Sequence, residues 1–127
     1  MTHQEFNEVV ARRLGLIEKV LASKGAEYVG SEPDRFHNFK LGAALQRCTP
    51  EECLLGYVTK QLVSTVDLIK ATSNGSCPAR EVIDEKLGDI INYALLLEGL
   101  FLERLQQMAH PAHIATNQEM NLEENHE

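Results

Sequence analysis

The sequence predicts an all-α fold, a helical bundle of three long helices and a short one, completed by dimerisation. Three observations predict it. Apolar residues recur at helical spacing over three long stretches. No stretch alternates apolar and polar residues as a half-buried strand does. The breaks between the stretches carry helix-start and helix-stop residues.

The first helix is expected over residues 3–24. Thr2 and Glu5 form a capping box at its start. Phe6, Val9, Val10, Leu14, Ile17, Val20 and Leu21 share one face, and Arg12, Arg13, Glu18 and Lys19 occupy another. Lys24-Gly25 reads as the stop, with Gly supplying the left-handed end. Residues 25–40 are aperiodic, broken by Gly25, Gly30 and Pro33. Yet they hold Tyr28, Phe36 and Phe39, three of the seven Phe and Tyr residues. Such a loop either folds back as a lid or lines a site.

A short helix is expected from Phe39 to Gln46. Thr49-Pro50-Glu51-Glu52 then starts the next long helix, with Thr as cap and Pro in the first turn. Leu54, Leu55, Val58, Leu62, Val66 and Ile69 make its apolar stripe up to about Ala71, while Lys60, Ser64 and Asp67 share another side. Thr72 to Ser76 is a tight turn. Pro78 opens the last helix, which runs to about Met108 before Pro111 ends it.

A chain of 127 residues, 43% of them hydrophobic, is expected to form one domain over residues 1–109, with an acidic, disordered tail over 110–127. The net charge of −7 argues against an extended duplex-DNA surface, with four of those charges in the tail and about three in the body. No run approaches the roughly 18 apolar residues of a membrane span. The first residues lack the basic start and apolar core of a signal peptide, so the chain reads as cytoplasmic. Cys48, Cys53 and Cys77 are odd in number and contain no C-x-x-C pair, which points to reduced thiols.

The last helix carries the chemistry. At about 100° per residue, Glu81, Glu85, Asp89 and Asn92 fall within an arc of roughly 80°. Ile83, Leu87, Ile90, Ile91, Ala94, Leu97 and Phe101 lie opposite. Stacked acids repel by a few tenths of a kcal/mol per pair. A divalent cation offsets that cost, because hard cations take carboxylate oxygens. The alternative is the solvated face of an amphipathic helix. Nearly every position from Leu95 to Phe101 is apolar, so the acid stripe is expected to run into a covered region. As a magnesium platform the metal ligands are Glu81, Glu85 and Asp89, with Glu27 closing the set. Lys24, Arg35 and Lys60 are placed for phosphates. Tyr28, Phe36, Phe39 and Tyr93 are candidates to sandwich a base, with Asn38 and Asn92 reading its edge. Glu85, Asp89 and Lys60 are the candidate catalytic residues. No nucleophile elbow or phosphate-binding glycine loop is present, and His110-x-x-His113 stands without companion ligands.

Lys24-Gly25-Ala26-Glu27-Tyr28, Arg35-Phe36-His37-Asn38-Phe39, Lys60 and Glu85-Lys86-Leu87-Gly88-Asp89-Ile90-Ile91-Asn92-Tyr93 together resemble the all-α nucleotide pyrophosphatases of the MazG-like superfamily. The resemblance is closest to small phage and prophage MazG-like proteins and spans about residues 10–105. It implies a dimeric or tetrameric helical bundle. It also implies Mg²⁺-dependent cleavage of a nucleoside triphosphate to monophosphate and pyrophosphate. Two features depart from the pattern: Lys86 stands three before Asp89, where the pattern has an acid, and the helix over 51–71 lacks an E-x-x-E. The resemblance thus leaves two expectations: a metal-dependent pyrophosphohydrolase, or a non-catalytic phage-type accessory protein that sequesters a nucleotide or inhibits a host protein.

Overall fold

A computed structural model describes residues 1–28 and 33–110, the side chains of residues 24–28 excepted. Among the described residues there are four helices and no strand: α1 (His3–Tyr28), α2 (His37–Gln46), α3 (Pro50–Thr72) and α4 (Arg80–Ala109). None is long and apolar enough to cross a membrane. The tail beyond His110 lies outside the described residues.

Local chemistry accounts for most of the boundaries. The Thr2 hydroxyl accepts from Glu5 N at 3.1 Å and the Glu5 carboxylate accepts from Thr2 N, as the capping box requires. Gly25 does not stop α1, which continues to Tyr28; a glycine inside a helix costs only about 1 kcal/mol and is no barrier by itself. α2 begins two residues earlier than its apolar pattern indicates. Asp34 organises that start: its Oδ1 accepts from Phe36 N at 2.9 Å, and its Oδ2 pairs with Lys40. Thr49 caps α3 through a reciprocal box with Glu52. The turn after α3 places Gly75 at φ 79, the left-handed region where a side chain is strained.

α4 spans 30 residues, about 45 Å, and is the central element. α3 packs antiparallel along it. Arg104 donates to both carboxylate oxygens of Glu51 at 2.9 and 2.8 Å at one end. Ile69 and Ile83 share an apolar pocket at the other. α2 packs on α3, and Lys40 crosses to Glu103 of α4 at 2.6 Å. α1 packs on α4 and, among the described residues, on neither α2 nor α3.

The core of the single chain is thin. Ala43, Cys53, Leu54 and Leu100 are its buried apolar residues. The segment Leu95–Phe101 is expected to be covered fully only when a second chain completes the bundle. Leu100 is buried within the single chain, but Leu95 and Phe101 are exposed, as are Leu102, Leu105 and Met108 beyond them. One chain has too few helices to surround α4. All three cysteines are free thiols.

Candidate functional site

The acid stripe of α4 passes from open to covered along its length. Glu81 and Glu85 are exposed, Asp89 is half-buried, and Asn92 is 8% exposed. α1 does the covering. Leu16, Ile17 and Val20 of α1 face Glu85, Gly88, Asp89 and Asn92 across a cavity of about 190 Å³. Gly88 leaves room for the Arg13 guanidinium, since a Cβ there would lie 2.9 Å from its Nη1.

Arg12 and Arg13 hold the cavity's end. Arg12 donates to both carboxylate oxygens of Asp84, at 2.8 and 2.7 Å. Arg13 donates to the Asp84 carbonyl at 3.2 Å and to its Oδ1 at 3.4 Å. The Arg12 hydrogen bond, with the charges of Arg12, Arg80 and Arg13, holds the Asp84 carboxyl below the usual carboxylate range. Asp84 is thus a structural anion. Glu85 lies 3.4 Å from Lys86 Nζ. Asp89 forms no hydrogen bond or ion pair with a described residue. The Asn92 Oδ1 is buried without a hydrogen-bond partner among the described residues.

An aromatic row continues from this cavity. Tyr93, one turn after Asp89, stacks on Tyr57 of α3 at 6.1 Å between ring centroids and 25° between planes. Phe39 of α2 meets Tyr57 edge-on at 6.1 Å and 81°. Burial pushes the Tyr93 phenol up, and the Asp89 charge adds to the shift. Asp89 therefore belongs to both halves: it lines the cavity and acts on the aromatic row.

The structure brings together Glu85, Asp89 and Asn92 in the cavity, and Phe39 and Tyr93 in the row. Lys60 is exposed on α3, one turn beyond Tyr57, and has no partner among the described residues. Glu81 stands outside the cavity lining. Phe36 is spent elsewhere: its ring lies over Gly99, where a Cβ would come within 2.6 Å of its Cζ. Arg35 is half-buried in the turn before α2, and Asn38 is exposed on the first turn of α2. The side chains of Lys24, Glu27 and Tyr28 lie outside the described residues.

Three participants were missed in the sequence. Tyr57 carried a signal, since it extends the Lys60–Ser64–Asp67 side of α3 by one turn. Arg13 and Asp84 carried none, because their pairing spans 71 residues.

The donor set fits a magnesium ion in kind more than in number. Among the described residues no three His, Cys, Asp or Glu side chains group for a metal. Glu85 and Asp89 offer two carboxylates. Mg²⁺ is commonly held by one or two carboxylates, completed by waters and substrate phosphates. Compared with family models, with curated proteins and with solved structures, the chain matches none.

Proposed function

We propose that the cavity between α1 and α4 binds a nucleotide and that the chain is a MazG-like, Mg²⁺-dependent nucleoside triphosphate pyrophosphohydrolase. The observation that carries the reading is Asp89. It is a half-buried carboxylate lining an acid-walled cavity on one side and adjoining a stacked aromatic pair on the other. Carboxylates suit the charged end of a nucleotide only through a cation, and aromatic faces suit the base.

In this reading Glu85 and Asp89 hold the metal, with Glu81 and Glu27 as its outer support. Lys60 offers an ammonium to the phosphates from α3. Lys24 and Arg35 serve the same phosphates, and Tyr28, Asn38 and Asn92 border the base. The cation, when bound, neutralises phosphate charge and lowers the pKa of a water. Asp89 would accept the proton of the attacking water, because Glu85 has Lys86 beside it. Water adds to the α-phosphorus, the bond to the bridging oxygen breaks, and monophosphate and pyrophosphate result.

The same reading takes the chain as a homo-oligomer acting in the cytoplasm, the host cytoplasm if it is phage-encoded. Support for self-association is the uncovered apolar face of α4. A second function is favoured by a specific observation. Asp84, the third acid lining the cavity, is tied to two arginines, and Glu85 is beside Lys86; among the described residues no three such side chains group for a metal. With Asp84 held by arginines and Glu85 beside a lysine, the cavity suits a non-catalytic accessory protein which sequesters a nucleotide or inhibits a host protein.

Incubation with Mg²⁺ and a panel of canonical and modified nucleoside triphosphates tests the enzyme reading. Pyrophosphate release from at least one is expected. No release from any, with no metal-dependent thermal shift, contradicts it.

A further inference from the structure

We propose that the cavity between α1 and α4 binds a small aliphatic amine in its ammonium form. The charged head lies at Asp89 and Asn92, and the hydrocarbon lies against Leu16, Ile17 and Val20. The inference goes beyond the nucleotide reading and does not rest on it.

The first support is a surplus of acceptors. Asp89 lines the cavity and forms no hydrogen bond or ion pair with a described residue. Asn92 lines it too, at 8% exposure, and its Oδ1 has no hydrogen-bond partner among the described residues. The two stand three residues apart on α4, one above the other on the same face. A carboxylate and an amide oxygen both call for a donor. An ammonium brings three N–H donors and no acceptor of its own.

The second support is where the cavity's charges are already matched. Arg13, the cation in the lining, donates to the Asp84 carbonyl and Oδ1, and Arg12 takes both Asp84 carboxylate oxygens. Lys86 stands 3.4 Å from Glu85. Of the three acids in the lining, Asp89 is the one with no counter-charge among the described residues. The head of the ligand therefore goes to the Asp89 end, away from Arg13.

The third support is the wall. Leu16, Ile17 and Val20 add nothing to a hydrated metal ion, which keeps several waters. They do cover methylene groups, whose removal from water is favourable. The ion pair then forms beside an apolar surface, where salt screens it less than in the open. The volume, about 190 Å³, is below that of a pocket for a drug-sized molecule, so the hydrocarbon is short.

The test is a nuclear magnetic resonance titration of the full chain, without nucleotide or Mg²⁺, followed on the methyl groups of Leu16, Ile17 and Val20. The probe is n-butylamine, protonated at neutral pH as a lysine side chain is. Its neutral counterpart is n-butanol. Saturable shifts with n-butylamine are expected, and n-butanol is expected to bind at least about tenfold more weakly, having lost the charge-assisted hydrogen bond. Asp89→Asn is expected to weaken n-butylamine by a similar factor. Glu98→Gln, which removes an exposed acid elsewhere on α4, is expected to leave binding unchanged. Should Asp89→Asn fail to fold by circular dichroism, the comparison of amine with alcohol on the wild type still decides. Equal binding of the two probes, no saturable shift with the amine, or an equal loss in Glu98→Gln overturns the inference. None of these outcomes bears on pyrophosphate release, so the nucleotide reading stands or falls on its own assay.

Discussion

Asn92 holds a buried amide oxygen without a hydrogen-bond partner among the described residues, and Gln61 on the facing helix holds another. Leaving such a group unpaired costs about 1–3 kcal/mol. A chain with so few buried apolar residues tolerates that cost poorly, so the positions invite a functional explanation. Asn92→Leu, close in volume, is expected to raise the urea midpoint and at the same time to weaken nucleotide binding. Lower stability in the variant would instead show that the amide is satisfied in solution. The Glu85, Asp89 and Asn92 grouping was legible in the sequence because it depends on one helix alone, where spacing fixes angle. Asp84 looked like another member of the same acidic run. It is a buttress, since Arg12 and Arg13 reach it from 72 and 71 residues away. No spacing rule reveals such a pairing.

Among the elements, α1 is the most dependent on charge. Among the described residues it touches α4 only, and its polar anchor is Asp84 with two arginines. Asp84 titrates below its unfolded value of about 3.9. A depressed carboxylate contributes stability that is complete above the unfolded pKa and lost as pH falls through the folded one. The anchor is therefore constant from neutrality to about pH 5 and weakens below about pH 4. Hydrogen exchange followed along a pH series is expected to show α1 losing protection in acid before α3 and α4. Uniform loss across all helices would contradict this. Helix identities and caps were legible, because the Thr49 box and the Pro50 start are local chemistry. The start of α2 was less so: Asp34 and Lys40 set it through contacts that also involve Glu103 of α4.

At the scale of the whole molecule, the packing is incomplete. Phe101, Leu102, Leu105 and Met108 line one side of α4 at 51, 52, 60 and 71% exposure. Ala94, Leu97, Phe101 and Leu102 border an open apolar hollow of about 300 Å³. A face this apolar needs constant cover, and a second copy is the partner always present in equal amount. Light scattering is expected to give a dimer or a higher multiple, and Phe101→Asp is expected to reduce the mass and the thermal stability together. A wild-type monomer at micromolar concentration would contradict that expectation. The sequence pointed to this face through the run from Leu95 to Phe101, but could not say that α2 and α3 leave it bare. The aromatic row was half legible. Phe39 and Tyr93 stood out, while Tyr57, which joins them, lay on a helix read for its apolar stripe. The central claim, that Asp89 serves a metal-assisted nucleotide site, is tested most directly by pyrophosphate release in Mg²⁺ from wild type and Asp89→Asn side by side. The account predicts release by the wild type and a loss of at least about 100-fold in the variant. Equal rates in the two proteins would contradict it.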